Sequence, residues 1–182
     1  MITMGIDPSI NCTGICVYDD ISRVHYYYMI VGKTTKKMNN FRNDNVRILC
    51  YNKNEVHSSS EYCEKEDAKT SNIYNICTLI KDIIDWHEPD KIQMEGISYG
   101  SKGSAALADL SGLNFAIRMA VLSKASTVTV IAPTSVKKFA VGNGSVEKDV
   151  MIASWKKLDK NIADITEIKL DDLADSYFIA HY

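Results

Sequence analysis

Residues 2–6 alternate between apolar and small or polar positions. Ile2, Met4 and Ile6 fall on one face, Thr3 and Gly5 on the other, and the run ends on Asp7. A period of two predicts a strand. "TGICVYD" (13–19) and "RVHYYYMIV" (23–31) are β-branched and aromatic and predict two more. The connections are short, so the three form an antiparallel meander. The pattern then breaks. Residues 32–66 are polar, with Asn, Lys and Ser clusters, and read as an insertion or long, partly mobile loop in which only 46–51 ("VRILCY") has strand character.

From 69 to 87 the period changes to that of a helix, with Ile73, Ile76, Cys77, Ile80, Ile83, Ile84 and His87 on one stripe and Pro89 as the stop. "KIQME" (91–95) is a short strand ending on Glu95. Residues 104–124 predict a helix that is apolar around most of its circumference and rich in small residues. Such a helix needs cover on two sides. The sheet is one cover, and a second subunit is the expected other. A fifth strand follows at 127–133, then a short helix and turn at 134–142, a helix at 146–158 behind a Ser145 cap, and a last helix at about 171–181. The order β-β-β-α-β-α-β-α-α-α is that of an α/β protein with a five-stranded mixed sheet, three antiparallel strands then two parallel, flanked by helices.

Composition narrows the class. A chain of 182 residues, 46% hydrophobic, is expected to be one domain (1–182) carrying the polar insertion at about 32–66. No apolar run is read as long enough to cross a bilayer, and the N-terminus lacks the basic start and apolar stretch of a signal peptide. Five cysteines without a C-x-x-C pair argue against a disulfide framework or a zinc site and for a reducing, cytoplasmic setting. The net charge of −2 decides nothing globally. Locally, residues 33–47 carry Lys33, Lys36, Lys37, Arg42 and Arg47 against Asp44 alone, and an acidic run follows at 55–67.

Topology gives the acids meaning. A right-handed crossover can lay strand 91–95 parallel to the first strand and beside it. Asp7 and Glu95 then become neighbours at the carboxyl ends of their strands, where open α/β sheets place their sites. In "LDDLADSYFIAHY", Asp172 and Asp175 are three apart and share a helix face, while Leu170, Leu173, Ala174, Tyr177 and Phe178 form the stripe that docks the helix. Each acid alone has an ordinary explanation: a turn former, a solvated strand end, first-turn residues that suit the helix dipole. Convergence of three segments on one crevice is what points to chemistry. Crowded carboxylates repel, so the cluster implies bound cations, and an all-oxygen donor set suits Mg²⁺ or Mn²⁺. Two such ions are the arrangement that clamps both oxygens of a phosphoryl displacement.

"GIDPSINCTG", "QMEG", "APTSVKKFAVGNGSVEKDVM" and "DDLADSYFIAHY" together resemble the RuvC Holliday junction resolvases of the RNase H-like superfamily. The resemblance covers most of the chain outside 32–66. It implies an RNase H-like fold and a Mg²⁺- or Mn²⁺-dependent endonuclease that nicks branched DNA, with two ions per site and no nucleotide cofactor. Asp7 resembles the family's metal-bridging aspartate, Glu95 its strand-end glutamate, and Asp172 and Asp175 its D-x-x-D pair. Asp171 rivals Asp172, but only Asp172 keeps the spacing. Lys137 and Lys148 match basic residues at the family's DNA-cleaving face, and Lys102 and Lys138 join them as expected DNA contacts. Tyr99 sits where the family carries an aromatic wedge, with Ser98 an equal match for that register.

Two features depart from the family: the insertion, and the linker "DKNIADITEIKL" (159–170), which lacks the family's proline-containing stretch. Such a diverged, compact member points to a phage or viral source, hence host cytoplasm, and to tolerance for forks and flaps. Three alternatives stand beside this reading. "GIDPSINCTG" also resembles the phosphate turn of actin-like phosphotransferases, which need a second domain. An RNase H-like nuclease acting on another target, such as an rRNA precursor, has the same fold. A catalytically weak junction-binding protein is the third. A homodimer through 104–124 is expected, because a junction offers two symmetric scissile strands.

Overall fold

The computed structural model describes residues 1–98, 103–124, 127–166 and 168–182. Three strands, β1 (Ile2–Asp7), β2 (Cys12–Asp19) and β3 (Val24–Val31), form the antiparallel meander. The turn after Asp7 is closed by Thr13, whose hydroxyl donates to the Ser9 carbonyl at 2.8 Å and accepts from the Ser9 amide at 3.2 Å.

The polar stretch holds more structure than its sequence advertises. It contains a five-residue helix, α1 (Lys36–Asn40), and a full strand, β4 (Val46–Cys50), which pairs parallel with β3. The sheet therefore has six strands rather than five, in the order β4-β3-β2-β1-β5-β6, where β5 is Lys91–Glu95 and β6 is Thr129–Ile131. The next helix, α2 (Tyr62–His87), starts seven residues before the expected start at 69. Its first turns are solvent-exposed and carry no buried period, and a capping box between Glu61 and Glu64 fixes the start.

Helices cover both faces. α2 and α3 (Ser104–Leu122) lie on one, over Met4, Ile6, Ile15, Val17, Ile92 and Met94. By length and composition Ala105–Leu122 is long and apolar enough to cross a membrane, with a mean hydropathy of 1.4, which corrects the expectation that no such run exists. In this fold Leu113, Ile117 and Val121 of that run are fully buried in the core shared with α2 and the sheet, whereas Phe115, Met119 and Leu122 are exposed.

On the other face lie α4 (Pro133–Val141), α5 (Lys148–Leu158) and α6 (Asp171–His181). α5 begins after Glu147, so Ser145 is not its cap. The stripe Leu170, Leu173, Ala174, Tyr177 and Phe178 is buried as the sequence predicts. Two glycines let α6 sit almost on the sheet. A Cβ at Gly5 would lie 2.3 Å from the Ser176 carbonyl oxygen, and one at Gly14 would lie 2.1 Å from that of Asp172. The face of β1 that reads as polar in the sequence is thus the face that receives α6. At the far end of α6, His25 Nδ1 lies 3.2 Å from the Asp159 carboxylate and His25 Nε2 lies 2.9 Å from His181 Nε2. Tyr27 donates to the same carboxylate at 2.6 Å. This buried network ties β3, α5 and α6 together.

Candidate active site

β1 and β5 run parallel, with Ile6 opposite Met94, so the next pair along that register is Asp7 and Glu95. Ile92 and Met94 fill the core under α2 and α3, which leaves Glu95 on the α6 side of the sheet, the same side as Asp7. α6 enters over this edge, and its first two turns carry Asp172 and Asp175. All four carboxylates line one cavity of about 300 Å³. Pro8, Ser9 and Ser98 form part of its rim, and Lys137 and Lys148 supply its positive charge.

The electrostatics are those of a crowded anionic site. Asp7 is 7% exposed, and its carboxyl is held well above the usual range, first by burial and then by the charges of Glu95, Asp175 and Asp172. Burial also raises Asp175, up to about 6; Lys148 and Lys137 pull it back, and Asp172 and Asp171 push it further. Asp172 is raised by burial and by Asp171, against a hydrogen bond from the Cys12 thiol. These three acids resist ionising together, and a cation between them relieves that resistance.

The donor set is hard oxygen throughout, which fits Mg²⁺ or Mn²⁺. Among the described residues no three acidic, histidine or cysteine side chains are arranged to hold one ion simultaneously.

Asp171 and Asp172 separate clearly. Asp172 lines the cavity; Asp171 does not. Asp171 is 3% exposed and accepts from Lys148 and, at 2.9 Å, from Lys169. Burial works to raise its carboxyl, but the two lysines outweigh that and hold it below the usual value. Lys148 thus stands at the rim bonded to Asp171 while its charge also acts on Asp7, Asp172 and Asp175. Lys137 donates to the Val146 carbonyl at 3.2 Å, which joins α4 to the start of α5. Lys138 is exposed and outside the cavity lining. Tyr99 and Lys102 lie outside the described residues.

One cavity residue escapes sequence reading. Asn114, 1% exposed on α3, donates to the Glu95 backbone carbonyl at 3.0 Å and accepts from Arg118 at 2.6 Å. It anchors the end of β5 to the helix across the cavity. The available signal was a single amide inside a mostly apolar helix.

Comparisons with known proteins concern the family and the fold. The family model for the crossover junction endodeoxyribonuclease RuvC matches residues 3–181. No curated protein matches the sequence. Among solved structures, RuvC of T. thermophilus in complex with a Holliday junction substrate superposes with a TM-score of 0.60 at 16% identity, covering 99% of this chain and 90% of that one. A second Thermus thermophilus RuvC structure gives 0.57 at 15% identity, covering 99% and 91%.

Proposed function

We propose, for a chain that belongs to the RuvC family of crossover junction endodeoxyribonucleases, that it nicks branched DNA, four-way junctions above all, by divalent-metal-dependent hydrolysis. The observation that carries this reading is the single cavity shared by Asp7, Glu95, Asp172 and Asp175 with Lys137 and Lys148 on its rim. Four carboxylates that hold divalent cations need no nucleophile of their own, since water on the metal can attack. Such a site suits a reaction in which water attacks and a charged phosphate must be neutralised.

The charges of Glu95, Asp175 and Asp172 all act on Asp7, so Asp7 would be a shared ligand of any divalent cation held there. Glu95, Asp172 and Asp175 complete the donor set. Divalent cations held there supply an activated water and stabilise the charge that develops on the leaving oxygen. Lys137 and Lys148 neutralise the approaching phosphate backbone, which positions DNA without reading its bases. Asp171 keeps the Lys148 ammonium at the rim. Asn114 fixes the backbone that carries Glu95.

The exposed Phe115, Met119 and Leu122 on α3 support a homodimer through this helix. A two-fold protein presents two such cavities to the two symmetric scissile strands of a junction.

The test is cleavage of an end-labelled four-way junction in Mg²⁺ or Mn²⁺, beside a fork, a flap and linear duplex, with Asp7→Asn as control. Paired symmetric nicks in the junction that vanish in Asp7→Asn are the expected result. Equal cutting of every branch makes the protein a general debranching nuclease. Tight junction binding without any cutting makes it a binding protein.

A further inference from the structure

The basic segment of the 32–66 stretch has two faces, and they differ. Arg47 lies on β4 and its charge acts on Tyr28 and His87, which belong to the α2 side of the sheet. Lys33 is paired with Glu55 at 2.7 Å. Lys36, Lys37 and Arg42 belong to the opposite face. Met38 and Phe41, between them in sequence, pack against the core that contains Ile165, Ile168, Leu170 and Leu173. That anchors α1 and its following turn on the chain leading into α6.

Two placements connect this basic face to the acid cavity. β3 runs parallel to β1, and its last residue, Val31, pairs with Cys12, so the crossover through α1 leaves from the sheet edge that carries Asp7. Lys37 and Arg42 also share a concavity of about 570 Å³ with Thr166. Between Thr166 and α6 comes Lys169, whose ammonium already sits on Asp171 beside Lys148. The segment from Thr166 to Asp171 therefore links the concavity of Lys37 and Arg42 to Lys148 at the cavity rim.

Among the described residues, no carboxylate pairs with Lys36, Lys37 or Arg42. The Arg42 guanidinium is instead held by the Asn39 and Phe41 carbonyls at 2.8 and 2.6 Å, which fixes its direction. Phe41, partly buried, packs against the core and also lines the concavity, whereas the charged groups of the patch are exposed. Exposed charge of this kind fits the phosphates of duplex.

We infer that Lys36, Lys37 and Arg42 form a second DNA contact that holds a duplex arm flanking the scissile phosphate. This inference rests on the reading of the chain as a branched-DNA nuclease.

The test is binding of a fluorescent four-way junction across a salt series without divalent cation, for wild type, Lys36→Gln/Lys37→Gln, and the triple variant with Arg42→Gln. Arg47→Gln, the same charge on the opposite face, is the control. The double variant is expected to bind roughly tenfold more weakly near 0.1 M salt and to lower the salt slope by about two; the triple variant lowers it by about three. Arg47→Gln leaves both unchanged. Wild-type binding in the double variant overturns the inference, and so does an equal loss in Arg47→Gln, which would reduce the effect to net charge. Arg42 also supports its turn, so the double variant is the deciding one. If wild type neither binds nor cuts any branched DNA, the nuclease reading fails and takes this contact with it.

Discussion

Gly14 and Asp172 meet through backbone. Gly14 pairs with Asp7 across the meander, and a Cβ built on it would lie 2.1 Å from the Asp172 carbonyl oxygen. One glycine thus sets the height of α6 over β2, and with it the distance between the strand acid and the helix acids. Gly14→Ala must lift the N-terminal turn of α6. We expect a stability loss of about 2–3 kcal/mol and a fall in junction cleavage of roughly a hundredfold, since small misplacements of a catalytic group cost about that much. Cleavage measured well below the melting temperature separates the two effects. Unchanged cleavage would mean that α6 does not set the site's geometry.

Asn114 makes a prediction of the same kind from the other wall. Asn114→Ala leaves the Glu95 carbonyl without its 3.0 Å donor and Arg118 without its 2.6 Å acceptor, both in a buried setting. A cost of about 1–3 kcal/mol follows from the unmet partners. Because Glu95 itself is untouched, cleavage should fall about tenfold and recover partly at high Mg²⁺, whereas Glu95→Gln should not recover. A metal titration of both variants checks this. Identical metal dependence in wild type and Asn114→Ala would remove Asn114 from the site.

The acids were legible because a strand ending on an acid, a crossover of fixed hand and a helix with acids three apart determine where carboxylates go without any side-chain detail. The docking stripe of α6 was legible for the same reason. Local composition concealed the rest. β4 stands among Asn and Lys; the strand character of 46–51 is legible, but its place as a sixth strand comes only from its pairing with β3. The start of α2 is exposed on all sides, so no apolar period marks it. Gly5 lies on the face read as small or polar, and Gly14 in the second strand, yet both are where a helix backbone approaches the sheet. A Thr-x-Gly-x-Asp face opposite an apolar one was the available signal. Asn114 and Asp171 act through partners distant in sequence, Glu95 for one and Lys148 for the other, which no spacing rule reveals.

The exposed side of α3 carries the dimer prediction. Phe115, Met119 and Leu122 are each more than half exposed on a helix whose other side is core. Arg118 lies 4.8 Å from the centre of the Phe115 ring, which keeps that ring presented outward. Wild type at micromolar concentration should sediment as a dimer with a concentration-dependent melting temperature, and Phe115→Asp/Met119→Asp as a folded monomer whose melting temperature does not depend on concentration. The monomer should still nick a junction but lose the pairing of the two nicks. A wild type that stays monomeric with and without junction would refute the interface.

Protons and metal should compete for the same carboxylates. Asp175 is raised from an ordinary 3.8 to about 6, chiefly by burial, and burial and the neighbouring carboxylates raise Asp7 as well. Between those values the folded protein holds protons that the unfolded chain has already released. Stability supplied by the protonated acids is therefore full below about pH 4 and is lost as pH rises through 6. Asp175→Asn has no charge to bury. In EDTA at pH 7 it should be more stable than wild type by the order of 2 kcal/mol, a melting temperature higher by roughly 5 °C, and at pH 4 the difference should close. Mg²⁺ should raise the wild-type melting temperature at pH 7 and have little effect at pH 4, where protons occupy the donors. Asp7→Asn should respond weakly to Mg²⁺ at either pH, because it removes the acid on which the other three converge. Melting curves in EDTA and Mg²⁺ at the two pH values decide this without any cleavage assay. A wild type as stable as Asp175→Asn at pH 7 in EDTA would show that the cluster carries no electrostatic strain, and the case for cations between these acids would lose its physical basis.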